Sequence, residues 1–197
     1  PNGIYTYTDD GTGANYLTVE NNYIHDIGTV NFPNGDSHGV GIQSGAHNII
    51  QNNLIENTGA AIEFWTASDP MFDMVARNNF IKDVRVAPVT GGEGIGVSGT
   101  NTTSLGQRTG FKIYNNVIVN PGIGATDTWQ GAGITSNNKD PVEIYNNVIV
   151  NAKTGLRFTV LNAPFQGSVY NNIIIAPTSN YVLVSGDTTV PWDNGHW

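Results

Sequence analysis

The motif Asn-Asn-x-Ile occurs six times in the 197-residue chain. The copies are Asn21-Asn22-Tyr23-Ile24, Asn52-Asn53-Leu54-Ile55, Asn78-Asn79-Phe80-Ile81, Asn115-Asn116-Val117-Ile118, Asn146-Asn147-Val148-Ile149 and Asn171-Asn172-Ile173-Ile174. Successive second asparagines are 31, 26, 37, 31 and 25 residues apart. Three positions before each stands a small or aliphatic residue: Val19, Ile50, Ala76, Ile113, Ile144 and Val169. Recurrence at this spacing marks a chain of stacked units, none of which buries its apolar face alone.

A second motif falls between these blocks. A glycine or small residue leads alternating apolar positions in Gly3-Ile4-Tyr5-Thr6, Gly39-Val40-Gly41-Ile42, Ala61-Ile62-Glu63-Phe64, Gly94-Ile95-Gly96-Val97, Gly133-Ile134-Thr135-Ser136 and Gly155-Leu156-Arg157-Phe158, and more loosely in Tyr181-Val182-Leu183-Val184. Period-2 alternation predicts strands with one buried face. Each coil then contains a Gly-led strand, a short link, an apolar strand, an Asn bend and a third strand ending near Ile. The spacing varies while the motifs do not, so insertions lie in loops and the coil cross-section is kept. Stacking sets equivalent residues ~4.8 Å apart. Isoleucine then lies on isoleucine and asparagine on asparagine, each buried amide bonding to the next rung. The asparagines therefore read as structural.

These repeats resemble the right-handed parallel β-helix superfamily, which includes pectate and alginate lyases, polygalacturonase-type hydrolases, mannuronan epimerases and phage tailspikes. The resemblance covers essentially the whole chain. It implies an all-β solenoid of about seven coils, with an aliphatic core and an asparagine ladder, as one domain over 1–197. Catalytic members usually carry a cap at each end. The first strand begins at Gly3 and the tail Val190–Trp197 is short. The expectation is a piece of a longer chain, with a flanking domain or a neighbouring chain covering the ends.

Composition narrows the partners. Eight Lys+Arg against sixteen Asp+Glu give a formal charge of −8, which disfavours a nucleic-acid surface. No apolar run approaches the ~18 residues of a membrane span. Cysteine is absent, so thiolate chemistry and disulfides are excluded. The expected setting is secreted or at the cell surface.

In the proteins it resembles, glycans lie along the outer face of the Gly-led strands. Alternation assigns one outward row to Tyr5, Gly41, Glu63, Gly96, Thr135, Arg157 and Leu183. The next row holds Tyr7, Gln43, Trp65, Ser98, Asn137, Thr159 and Ser185. Tyr5, Tyr7, Gln43, Glu63 and Trp65 cluster over the first three coils, an aromatic and amide surface suited to sugar rings. Arg157 is the basic residue of the strand face and a further substrate contact. Glu63 has apolar neighbours, and partial burial would raise its carboxyl toward general-acid range. Glu93 precedes the next coil's strand, about one rung away, and supplies the second carboxyl that glycoside hydrolysis requires. His38, preceding the previous coil's strand, is a candidate base or acid. Arg157 lies three rungs from Glu63, roughly 14 Å, which places the two in separate sites. Asp36, Asp69 and Asp73, with Glu63, are candidate oxygen ligands for a cation such as Ca²⁺, although no Asp-x-Asp-x-Asp-Gly loop is present.

Two functions remain in view. The first is a polysaccharide-cleaving enzyme, either a hydrolase using Glu63 with Glu93 or His38, or a lyase. The second is a non-catalytic glycan-binding, adhesive or structural segment of a larger extracellular protein. Two family signatures are missing: the adjacent aspartate pair of the polygalacturonase type, and the Asp-Pro-His motif of the epimerases.

Overall fold

The computed structural model describes residues 2–6, 13–28, 37–66, 69–86, 91–99, 108–127, 130–136, 141–160 and 167–186. Every strand pairing among them is parallel and joins one coil to the next. The chain is a right-handed parallel β-helix. The Gly-led sheet has seven strands, Asn2–Thr6, His38–Gln43, Ala60–Thr66, Ile95–Gly99, Ala132–Ser136, Thr154–Val160 and Asn180–Gly186, stacked in sequence order. Two six-stranded sheets form the other walls, one from Thr18–Glu20 to Gly167–Tyr170 and one from Tyr23–Ile27 to Ile173–Ile175. The short link is itself a sheet in four coils. It contains the two-residue strands Ala14–Asn15, Gly45–Ala46, Met71–Phe72 and Arg108–Thr109, too short to leave a period in the sequence.

The register matches the repeats. Ile24, Ile55, Ile81, Ile118, Ile149 and Ile174 form one column. Val19, Ile50, Ala76, Ile113, Ile144 and Val169 form another. Together with the Ile4-to-Val182 column of the Gly-led sheet they build one continuous apolar core.

The two asparagines of each motif do different work. The first adopts a left-handed backbone, with φ between 54° and 58° from Asn21 through Asn171, a conformation asparagine tolerates better than most residues. It turns the chain from one wall to the next. The second forms the ladder: the Nδ2 groups of Asn22, Asn53, Asn79, Asn116 and Asn147 donate to the Oδ1 of the next rung at 2.9–3.0 Å. A second left-handed bend recurs five positions after the first asparagine, at Asp26, Asn57, Asp83, Asn120, Asn151 and Ala176. Its side chains also link rungs, Asn120 to Asp83 at 2.9 Å and Asn151 to Asn120 at 3.1 Å.

The leading glycine of the first wall positions the site. A Cβ on Gly39 would lie 2.7 Å from Ile55 Cγ2, and one on Gly133 would lie 2.5 Å from Ile149 Cγ2. Both positions therefore face the core, as do the residues that follow them, Val40 and Ile134. Ala61 and Ile62 likewise both lie in the core. Two successive inward residues break the alternation, so only a small residue fits at the first. The break also returns the preceding residue to the outer face, and in this way His38 and Glu93 come to stand beside Gly41, Glu63 and Gly96.

Candidate functional site

The outer face of the Gly-led sheet gathers most of the expected site residues. His38 starts the second strand, and its Nε2 lies 2.6 Å from Glu63 Oε2 on the third. The other oxygen, Oε1, accepts a 2.6 Å bond from Ser98 Oγ on the fourth. His38 is only 3% exposed. Its Nδ1 lies 3.0 Å from Asn2 Oδ1, and the Tyr5 ring stacks on it at 5.7 Å between centroids. Tyr5 in turn donates to Gln43 Oε1 at 3.3 Å, and its ring fills the space above Gly41, where a Cβ would meet it at 2.4 Å. Trp65 pairs in register with Gln43 and Ser98. Tyr5, Gln43, Trp65, His38 and Glu63 thus form one surface.

Glu93 joins this surface one rung further on. Its carbonyl accepts the Ala61 amide at 3.0 Å, which sets it beside Ala60. Its carboxylate meets Arg157 Nη2 at 3.3 Å, while Arg157 Nε donates to Thr135 Oγ1 at 3.0 Å. The expected separation of Arg157 from the Glu63 site is therefore corrected: the rung count holds, but the arginine arm lies along the helix axis. Ser98, Thr135 and Asn2 complete the network. The sequence offered the first two only as members of the outward rows and did not single out Asn2 as a functional residue. Arg157 Nη1 and Thr154 Oγ1 are buried without a hydrogen-bond partner among the described residues, and Thr154 and Arg157 occupy consecutive outward positions of one strand.

The two carboxyls shift in opposite directions. Burial pushes Glu63 up, but the hydrogen bond and charge of His38, with the Ser98 hydroxyl, outweigh it and hold the group below the ordinary 4.5. The expectation that Glu63 is raised toward a general acid is thus overturned, because its apolar sequence neighbours Ile62 and Phe64 point into the core and its spatial neighbours are donors. Glu93 is raised above 4.5: burial pushes it up, Arg157 pulls it back without cancelling the effect, and Glu63 adds to the rise.

The expected cation site does not form among the described residues, where no three His, Asp or Glu side chains gather as metal ligands. Asp73 instead pairs with His47 at 3.1 Å, next to the short link sheet. Asp69 is tied to Thr66 through its main chain. Tyr7 and Asp36 lie outside the described residues.

This surface is a polar, aromatic-flanked patch on a parallel β-helix wall. No family model matches the chain, and no curated protein matches it. A solved structure of XylC in complex with xylose is similar in fold, with a TM-score of 0.57 and 19% identity over 91% of this chain. The chain spans 32% of that protein's length.

Proposed function

We propose that the chain is a carbohydrate-active β-helix that hydrolyses a polysaccharide on the outer face of its Gly-led sheet. The observation carrying this reading is the pair of largely buried glutamates one rung apart whose carboxyls are shifted in opposite directions, Glu63 below and Glu93 above the ordinary glutamate value. Glycoside hydrolysis needs that asymmetry: one carboxylic acid protonates the leaving oxygen while one carboxylate attacks the anomeric carbon or activates water. Glu93 is then the acid and Glu63 the carboxylate. Trp65 and Tyr5 offer ring faces and edges to sugar C–H groups. The fold shared with a protein solved with xylose supports the same direction. An extracellular setting suits a polymeric substrate.

The test is a product screen of the purified chain on xylan, pectin, alginate and related polymers, with and without Ca²⁺. Hydrolysis gives new reducing ends without unsaturated products. Glu93→Gln and Glu63→Gln should each lower turnover ~100-fold or more while the variants keep the β-sheet circular dichroism of the parent. Unsaturated uronate products would replace hydrolysis with elimination. Glycan binding with no product from any polymer would leave a binding module.

A further inference from the structure

We infer that Asn2 and His38 are positioning residues that lock one proton onto Glu63's partner, keeping Glu63 a carboxylate and leaving the acid's role to Glu93. This inference rests on the hydrolase reading for its catalytic consequence, but its proton assignment rests on geometry alone.

The starting point is the identity of one atom. Asn2 Oδ1 lies 3.1 Å from the main-chain nitrogen of His38 and 3.0 Å from Nδ1 of the same residue. A main-chain N–H only donates, so the Asn2 atom facing it is the amide oxygen and not the nitrogen. That oxygen only accepts, so His38 Nδ1 carries a hydrogen. On the far side of the ring, Nε2 lies 2.6 Å from Glu63 Oε2. Two bare lone pairs do not approach so closely, and a proton therefore lies between them. With Nδ1 already protonated, the dyad is either imidazolium with carboxylate or neutral imidazole with carboxylic acid.

The other contacts select the first form. Ser98 Oγ donates to Oε1 at 2.6 Å, so both Glu63 oxygens receive hydrogens, the arrangement that stabilises a carboxylate. Among the described residues, the dyad is also faced by the Tyr5 ring stacked on His38 and by Glu93, itself paired with Arg157. An anionic Glu93 would also favour the imidazolium form. Without Asn2, neutral His38 could carry its one hydrogen on Nε2, and the dyad would then hold one proton fewer. Asn2 removes that state. His38, a candidate acid or base in the sequence, thus becomes a fixed partner of Glu63 rather than a group that exchanges protons with substrate.

The experiment has two arms. In the first, long-range proton–nitrogen spectra of ¹⁵N-labelled protein in mildly acidic buffer report each ring nitrogen, with His38 assigned by the signals lost in His38→Gln. Both nitrogens of His38 should carry hydrogen. In Glu63→Gln the Nε2 hydrogen should be lost and the Nδ1 hydrogen kept. Adding Asn2→Ala to Glu63→Gln should give mixed tautomers, and Asn2→Asp in its place should restore the single one. A bare Nδ1 in the wild-type protein overturns the inference.

In the second arm, His38→Gln keeps a donor near Glu63 but removes its charge, and the acidic limb of the turnover profile should move up by ~1 pH unit or more. An unmoved limb, in a protein that Glu63→Gln inactivates, overturns the positioning role while the hydrolase reading stands. Expected ring protons without turnover of any polymer would instead sink the hydrolase reading and keep the proton assignment.

Discussion

Asn116→Leu probes the ladder at its most enclosed rung. Asn116 is fully buried. Its Oδ1 accepts from both the main-chain N–H and the Nδ2 of Asn79 at 3.0 Å. Its Nδ2 donates to the carbonyl of Ala76 and to Asn147 Oδ1, also at 3.0 Å. Leucine leaves the Asn79 main-chain N–H and one Asn79 Nδ2 hydrogen without an acceptor, the other Nδ2 hydrogen staying on the Ile50 carbonyl. Asn147 Oδ1 keeps the Asn116 main-chain N–H, and the Ala76 carbonyl keeps its place in the sheet ladder, so those two groups stay satisfied. Two orphaned buried groups at ~1–3 kcal/mol each, offset by ~2 kcal/mol from the added apolar side chain, leave a net loss of about 2 kcal/mol. For a chain of this length that corresponds to about 6 °C in melting temperature. Asn22→Leu is the internal control. Asn22 Nδ2 donates to the Glu20 carbonyl and to Asn53 Oδ1, and the latter keeps the Asn22 main-chain N–H. Its expected loss is under ~1 kcal/mol. Paired thermal melts and hydrogen exchange at the Asn79 amide make the comparison. Equal shifts for the two variants, or an Asn79 amide exchanging no faster in Asn116→Leu, would refute the buried-ladder reasoning.

Turnover should rise as pH climbs through the depressed Glu63 value and fall as pH passes the raised Glu93 value, so its maximum should span the ordinary glutamate 4.5; an optimum well away from both limbs contradicts the assigned roles. Arg157→Leu removes the cation beside Glu93, so the descending limb should move to higher pH. The fold already opposes ionising Glu93, so the melting temperature of that variant should also fall more steeply than the wild type's as pH rises through the Glu93 range; parallel melting curves would count against the pair. Gly133→Ala forces a methyl to within 2.5 Å of Ile149 and should cost ~1–3 kcal/mol by overpacking. Gly96→Ala, whose methyl would meet nothing closer than Thr135 Cγ2 at 3.6 Å, should keep the wild-type melt while altering glycan affinity.

Much of the site was legible because rung neighbours share a motif position. Alternation counted from Ile62 gives the outward placement of Tyr5, Glu63, Trp65 and Arg157, and one-rung stacking makes Gln43 a neighbour of Trp65. Alternation alone would have turned His38 and Glu93 inward. The small residues Gly39 and Gly94 carry the signal that reverses them, once two successive inward positions are recognised. Asn2 and Ser98 were not legible as site residues, since each acts through one side-chain oxygen on a residue 36 or 35 positions away that no local pattern marks.

The sequence by itself determined the coil: which residues fill the core, where the asparagine bend of each coil falls, and that asparagine stacks on asparagine. Those features repeat because every rung solves the same packing problem, so the solution is written once per coil. Only the tertiary structure decided in which direction each carboxyl is shifted. Glu63 meets His38 and Ser98, and Glu93 meets Arg157 across 64 residues of sequence, through side chains running along the axis. Ionisation follows from those neighbours and from burial, and neither is periodic.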